Sequence, residues 1–132
     1  MPVLMELTRL IVSELNDQQA MYLREVGGHR MFPILIGQFE ALSINRRLLE
    51  EEPFRPMTHQ LLKNVIATLG GVVEEVIITE MKEHTYFAVL KVRVGETVHD
   101  IDCRPSDAIA MAVHYTPILP IYVAEQVLKE VG

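Results

Sequence analysis

Hydrophobic and polar positions along the chain follow two different periods, and the switch between them divides the sequence into elements. Alternation at a period of two predicts strands over 3–15, 19–26 and 31–36, with Gly27-Gly28 as a turn and Gly37 ending the third strand. Helical spacing follows. A helix over 38–50 carries Ala41, Leu42, Leu48 and Leu49 on one face, and a second over 57–69 carries Leu61, Leu62, Val65, Ile66 and Leu69, closing at Gly70-Gly71. Pro53 and Pro56 punctuate the connection between them. Strands are then predicted over 72–81, 85–94 and 97–103, with hairpin turns at Glu83-His84 and Gly95-Glu96, before helices over 105–115 and 124–131. Tyr86, Ala88, Leu90, Val92 and Val94 set against Thr85, Lys91 and Arg93 give the middle strand one partly wet face.

The second half of this pattern repeats the first. Leu10-Ile11-Val12-Ser13-Glu14-Leu15 returns 66 positions later as Val76-Ile77-Ile78-Thr79-Glu80-Met81. Gln60-Leu61-Leu62-Lys63-Asn64-Val65 returns at the same offset as Gln126-Val127-Leu128-Lys129-Glu130-Val131. Between them, Glu40-Ala41-Leu42-Ser43-Ile44 returns at an offset of 67 as Asp107-Ala108-Ile109-Ala110-Met111. Three matches in step point to a duplicated β-β-β-α-α unit, about 1–66 and 67–132, within a single domain spanning 1–132. The expected fold class is α+β, with one barrel-like or strongly curved six-stranded sheet flanked by four helices. A unit of this size does not bury a full core alone.

Composition narrows the role. Twelve basic against eighteen acidic side chains give a net charge of -6, which argues against a basic nucleic-acid coat protein. Residues 1–66 carry 7 basic and 8 acidic groups (-1), whereas 67–132 carry 5 and 10 (-5), so an anionic partner must meet a local site. The single cysteine, Cys103, forms no intrachain disulfide, and the reducing cytoplasm is the expected location. The N-terminal stretch is interrupted by Glu6, Arg9 and Glu14 and does not read as a signal peptide, and no apolar run reaches the roughly 20 residues of a membrane span. Apolar strands on the outside of a small sheet favour a homo-oligomer.

Candidate chemistry gathers at two corners. In Asp100-Ile101-Asp102-Cys103-Arg104-Pro105-Ser106-Asp107, strand alternation turns Ile101 and Cys103 one way and Asp100, Asp102 and Arg104 the other. Pro105 suits the first turn of a helix and restricts Arg104 to extended geometry. Such a corner can hold a phosphate through Arg104 and free amides, or a divalent cation through Asp102 and Asp107. Equally, Ser106 or Asp107 can be a helix cap, with Arg104 as its ion-pair partner. The repeat sets Glu40 at the position of Asp107, so the two carboxylates either converge or lie apart, each with its own arginine. The second corner, Phe54-Arg55-Pro56-Met57-Thr58-His59-Gln60-Leu61, makes Thr58 a helix cap. It leaves His59 and Gln60 in an exposed first turn, where His59 is a candidate acid or base, and sends Leu61 and Leu62 to the core. The other histidines, His29, His84, His99 and His114, lack zinc-site spacing. Arg46-Arg47 reads as a solvated helix end able to touch an anion.

Three segments resemble the bifunctional nuclease domain family: Ile36-Gly37-Gln38-Phe39-Glu40-Ala41, Arg55-Pro56-Met57-Thr58-His59, and the long run Ile101-Asp102-Cys103-Arg104-Pro105-Ser106-Asp107-Ala108-Ile109-Ala110. The resemblance spans nearly the whole chain. It implies cleavage of both DNA and RNA and a duplicated three-strand, two-helix unit. Gln60 stands where the family often has Asp, and Cys103 where it often has Ala. On this basis Glu40, His59, Asp102 and Asp107 are the expected catalytic residues, Arg55 and Arg104 the phosphate ligands, and Asp102 with Asp107 the holders of a Mg or Mn ion. The rival reading is a non-catalytic ligand-binding or protein-interaction domain whose Arg-Pro corners are structural.

Overall fold

The computed structural model describes residues 2–11, 19–49 and 55–131. In chain order the elements are β1 (Val3–Ile11), β2 (Gln19–Glu25), β3 (Met31–Ile36), α1 (Gln38–Leu48), α2 (Thr58–Thr68), β4 (Gly71–Lys82), β5 (Thr85–Val94), β6 (Thr97–Cys103), α3 (Pro105–Val113), β7 (Ile121–Val123) and α4 (Glu125–Val131). The expected extension of the first strand over 12–15 lies outside the described residues, as does Pro53.

The sheet has seven strands, not six, in the order β3-β2-β1-β7-β4-β5-β6, and it is curled into a half-barrel. The additional strand is β7, three residues wedged between the two meanders. It pairs antiparallel with β1 through Val3↔Val123 and parallel with β4 through Ile78↔Val123. Its brevity, between Pro120 and α4, leaves no period to read. The two meanders consequently run in opposite senses on either side of β7. The duplication is inexact, because residues 55–57, 66 positions before 121–123, form no strand.

Local chemistry explains the turns and one key helix start. Glu83 and His84 both have positive φ, 52° and 65°, as a two-residue hairpin matching strand twist requires, and Gly95 turns the next hairpin at φ 63°. Arg104, held extended by the proline after it (φ -76°, ψ 151°), delivers Pro105 to the first position of α3. Helix α3 is the centre of the core. Eight of its nine residues are buried, and the exception is Asp107. The same core cluster holds Ile44 of α1, Val76 and Ile78 of β4, Ala88 of β5 and Leu128 of α4, all fully buried.

Helix α2 is turned differently from its apolar pattern. Leu61, Leu62, Val65 and Leu69 are exposed (55%, 44%, 44% and 76%) rather than in the core, and His59 is its only buried residue. The inward stripe is instead His59, Lys63 and Ile66, at helical i, i+4, i+7 spacing. Lys63 Nζ donates to the His114 carbonyl at the end of α3 (2.9 Å), and Ile66 packs on Gly71 at the start of β4. These polar anchors on α3 fix the rotation of α2 and turn Leu61, Val65 and Leu69 outward. On α1, Ala41 is likewise buried while Leu42, Leu48 and Leu49 are exposed.

Candidate functional site

The N-terminal turns of α1 and α3 meet beside α2, and each contributes its third residue, Glu40 and Asp107. The two carboxylates converge on one guanidinium. Arg104 donates from NH2 to Glu40 Oε1, from Nε to Asp107 Oδ2 (2.9 Å) and from NH2 to Asp107 Oδ1 (3.2 Å). Glu40 is buried, with its other oxygen folded against Gly37, where any Cβ would collide with it at 2.5 Å. Arg104 remains largely open to solvent, at 65% side-chain exposure.

Asp107 also faces His59, whose Nε2 lies 3.2 Å from Asp107 Oδ1, while His59 Nδ1 lies 2.9 Å from Ser43 Oγ. Both Ser43 and His59 are buried, so α1, α2 and α3 supply one connected chain: Ser43, His59, Asp107, Arg104, Glu40. The His114 ring stacks on His59 at a centroid distance of 6.0 Å. Burial pushes the His114 imidazole below its usual range, against the opposing effect of its bond to the Ala110 carbonyl. Burial alone would raise the Asp107 carboxyl, but hydrogen bonds from Arg104 and His59 outweigh it and hold the group below the usual carboxylate range. The bond to Asp107, reinforced by Glu40, raises Arg104 further.

This chain forms one wall of a cavity of about 730 Å³ between the three helices and the β5–β6 edge. The rest is mostly apolar: Leu42, Leu62, Ile66, Leu90, Ile101 and Met111 line it, with Phe39 and Arg46 at the α1 side. Ile101 and Cys103 face it because they pair with the inward Leu90 and Ala88. Burial, with the nearby charges of Asp107 and Asp102, pushes the Cys103 thiol up to about 11.

Four sequence expectations change here. His59 is buried and doubly hydrogen-bonded instead of exposed. Thr58 is the first helical residue and not the cap of α2; Gln60 closes that turn, its Oε1 accepting from the Met57 amide (2.8 Å). Gln60 therefore does a capping task that an Asp at the same place could share. Helix α3 has no side-chain cap bond, so Asp107 is spent on Arg104 and His59 rather than on backbone amides. Of the paired arginines, Arg46 lines the cavity, while Arg47 donates to the Val113 carbonyl and to Thr116 Oγ1 (both 2.9 Å).

Asp102 lies at the cavity rim on β6, exposed, and takes no part in the hydrogen-bonded chain among the described residues. Arg55 is exposed ahead of α2 and does not line the cavity. The donor set does not fit a Mg or Mn ion. Both Asp107 oxygens are already bonded to cationic or N–H donors, and no group of three His, Cys, Asp or Glu converges among the described residues. Ser43 was not singled out by its sequence context; the only signal is its i, i+3 spacing from Glu40 on one helix face.

Comparison with known proteins identifies a family. The family model described as the bifunctional nuclease domain matches residues 21–132, which include every residue of the site. An uncharacterised protein from each of two strains of Mycobacterium tuberculosis is 39% identical over 121 residues, covering 92% of this chain and 71% of the relative. The chain belongs to the bifunctional nuclease domain family.

Proposed function

We propose that the protein is a nuclease that hydrolyses phosphodiester bonds of DNA and RNA at the α1–α2–α3 corner. The observation that carries this reading is Arg104. Its side chain is 65% exposed yet pinned by Glu40 and Asp107 beside the His59–Asp107 pair, which sets a fixed, solvent-facing cation against a group able to move a proton. Arg46 adds a second cation on the cavity wall, so a phosphate meets local positive charge despite a net charge of -6. In this reading Arg104 binds phosphate, His59 and Asp107 handle the proton, and Glu40 orients Arg104. Asp102 and Arg55, at the rim and outside the cavity, serve as contacts to flanking nucleotides.

The test is cleavage of single-stranded DNA and RNA by purified protein, with added magnesium or manganese in one arm and a chelator in the other. No cleavage in any arm overturns the reading. Equal cleavage by wild type and Arg104→Met overturns its site.

Leu61 and Leu69, exposed on α2 outside the cavity, favour a homo-oligomer assembled through that face. Sedimentation of wild type against Leu61→Lys tests it. No helix among the described residues is long and apolar enough to cross a membrane.

A further inference from the structure

His59 has no free nitrogen. Its ring bridges Ser43 and Asp107, so the first proton that it takes up in the resting site comes from one of these two side chains. An ionised carboxylate only accepts hydrogen bonds, which requires His59 Nε2 to carry its proton toward Asp107. In a neutral imidazole Nδ1 is then the acceptor, and the atom 2.9 Å away, Ser43 Oγ, must be the donor. With His59 neutral, the direction of the whole chain follows: Ser43 O–H donates to His59 Nδ1, and His59 Nε2–H donates to Asp107. This is the relation of nucleophile, base and orienting acid, with the two ring nitrogens exchanged relative to the commonest serine triads.

Position supports the same assignment. Ser43 lines the cavity from α1, on the helix face that also carries Glu40, and so sits between the apolar walls and the Arg104 fork. A mid-helix serine usually bonds back to its own helix carbonyls or faces water. Ser43 does neither.

We infer that Ser43 is the nucleophile of this site, attacking a phosphoryl centre with His59 as its base. The substrate class rests on the nuclease reading, whereas the nucleophile rests on the Ser43–His59–Asp107 geometry. In the first step the Ser43 Oγ lone pair forms a bond to phosphorus and its proton passes to His59 Nδ1. The phosphorus–oxygen bond to the leaving ribose or deoxyribose hydroxyl breaks, its electron pair stays on that oxygen, and His59 returns the proton to it. In the second step a water, deprotonated by His59, attacks the phosphoseryl group and the P–Oγ bond breaks. Ser43 recovers its hydrogen from His59, and the net reaction is hydrolysis of one diester bond. Arg104 and Arg46 are placed to balance the charge that builds on the phosphoryl oxygens.

The experiment uses diisopropyl fluorophosphate on the full chain, followed by intact mass and peptide mapping, in parallel with cleavage of a single-stranded oligonucleotide. The expected result is one adduct per chain on Ser43, formed with loss of fluoride, absent from Ser43→Ala, and slowed on the order of 100-fold in His59→Gln. Wild-type labelling needs no variant to fold. Failure of wild type to label at Ser43, or labelling of His59→Gln at the wild-type rate, overturns the inference. Oligonucleotide cleavage by Ser43→Ala at the wild-type rate also overturns it and leaves the nuclease reading standing. A Ser43 adduct in a protein that cleaves no oligonucleotide upholds the nucleophile and overturns only the nuclease reading.

Discussion

Arg104 donates to Glu40 across 64 positions of chain, from the residue just before α3 to the third residue of α1. That contact ties the two halves of the chain together at the site. It also places a buried carboxylate and the partly buried Asp107 on a single guanidinium.

Removing that guanidinium is therefore expected to cost more than a surface ion pair. Arg104→Met leaves Glu40 and Asp107 facing each other without their counter-charge. Because Arg104 is itself mostly exposed, the loss is set at about 1 to 2 kcal/mol instead of the larger figure for a fully buried pair. Urea unfolding of wild type, Arg104→Met and the double variant Arg104→Met/Glu40→Gln measures it. The double variant should recover part of the loss, and a variant as stable as wild type would contradict the contact's role.

Asp107 sets an acid limit on stability. Its folded pKa is lowered by Arg104 and His59, so the unfolded chain binds the proton more readily. The stabilisation is present above the unfolded value near 3.8 and is lost as pH falls through the lower folded value. His114, also lowered, acts in the same sense at higher pH: as pH falls through 6.5 the unfolded state gains a proton that the folded state resists. Thermal melting across pH 3 to 7 should show wild type losing its margin over Asp107→Asn at the acid end. The His114→Gln variant should flatten the slope around pH 6.

How far these relationships were written in the sequence depends on how local their causes are. The Arg104-Pro105 corner was legible because a proline constrains both itself and the residue before it. The equivalence of Glu40 and Asp107 was legible because the repeat matches residue to residue. Neither signal could say whether the two carboxylates meet, since that depends on how α1 and α3 pack. For α2 the apolar period gave a face but not what covers it, and the anchors His59 and Lys63 on α3 rotated Leu61, Val65 and Leu69 outward. Ser43 carried no signal beyond its i, i+3 spacing from Glu40. Its partner lies 16 residues away on a different helix and becomes a neighbour only in the folded chain.

The outward face of α2 gives a contrasting outcome. Leu69, 76% exposed, makes little of the core, so Leu69→Lys should change unfolding free energy by no more than about 0.5 kcal/mol. Ile66→Ala, on the inward stripe against Gly71, should cost more, about 1 to 3 kcal/mol for a half-buried aliphatic truncation. Chemical denaturation of the two variants checks the rotation of α2, and the reverse order would mean that the leucines form the packed face.

Cys103 offers a direct probe of how closed the cavity wall is. Its thiol is pushed from 9.0 to about 11, mainly by burial, with the carboxylates of Asp107 and Asp102 adding to it. At pH 8 the thiolate is the reactive form, and a shift of this size makes it about 100-fold scarcer in the folded protein than in the unfolded chain. The raised value also means that Cys103 favours the folded state below pH 9 and loses that contribution as pH rises toward 11. Iodoacetamide labelling at pH 8 should thus proceed on the order of 100-fold faster in denaturant than in native buffer, after correction for the intrinsic effect of denaturant on a free thiol. Asp107→Asn should narrow the difference by removing one of the repelling carboxylates. Native labelling at the free-thiol rate would mean that Cys103 is not held in the wall, and that Ile101, its neighbour on the same face of β6, does not line the cavity either.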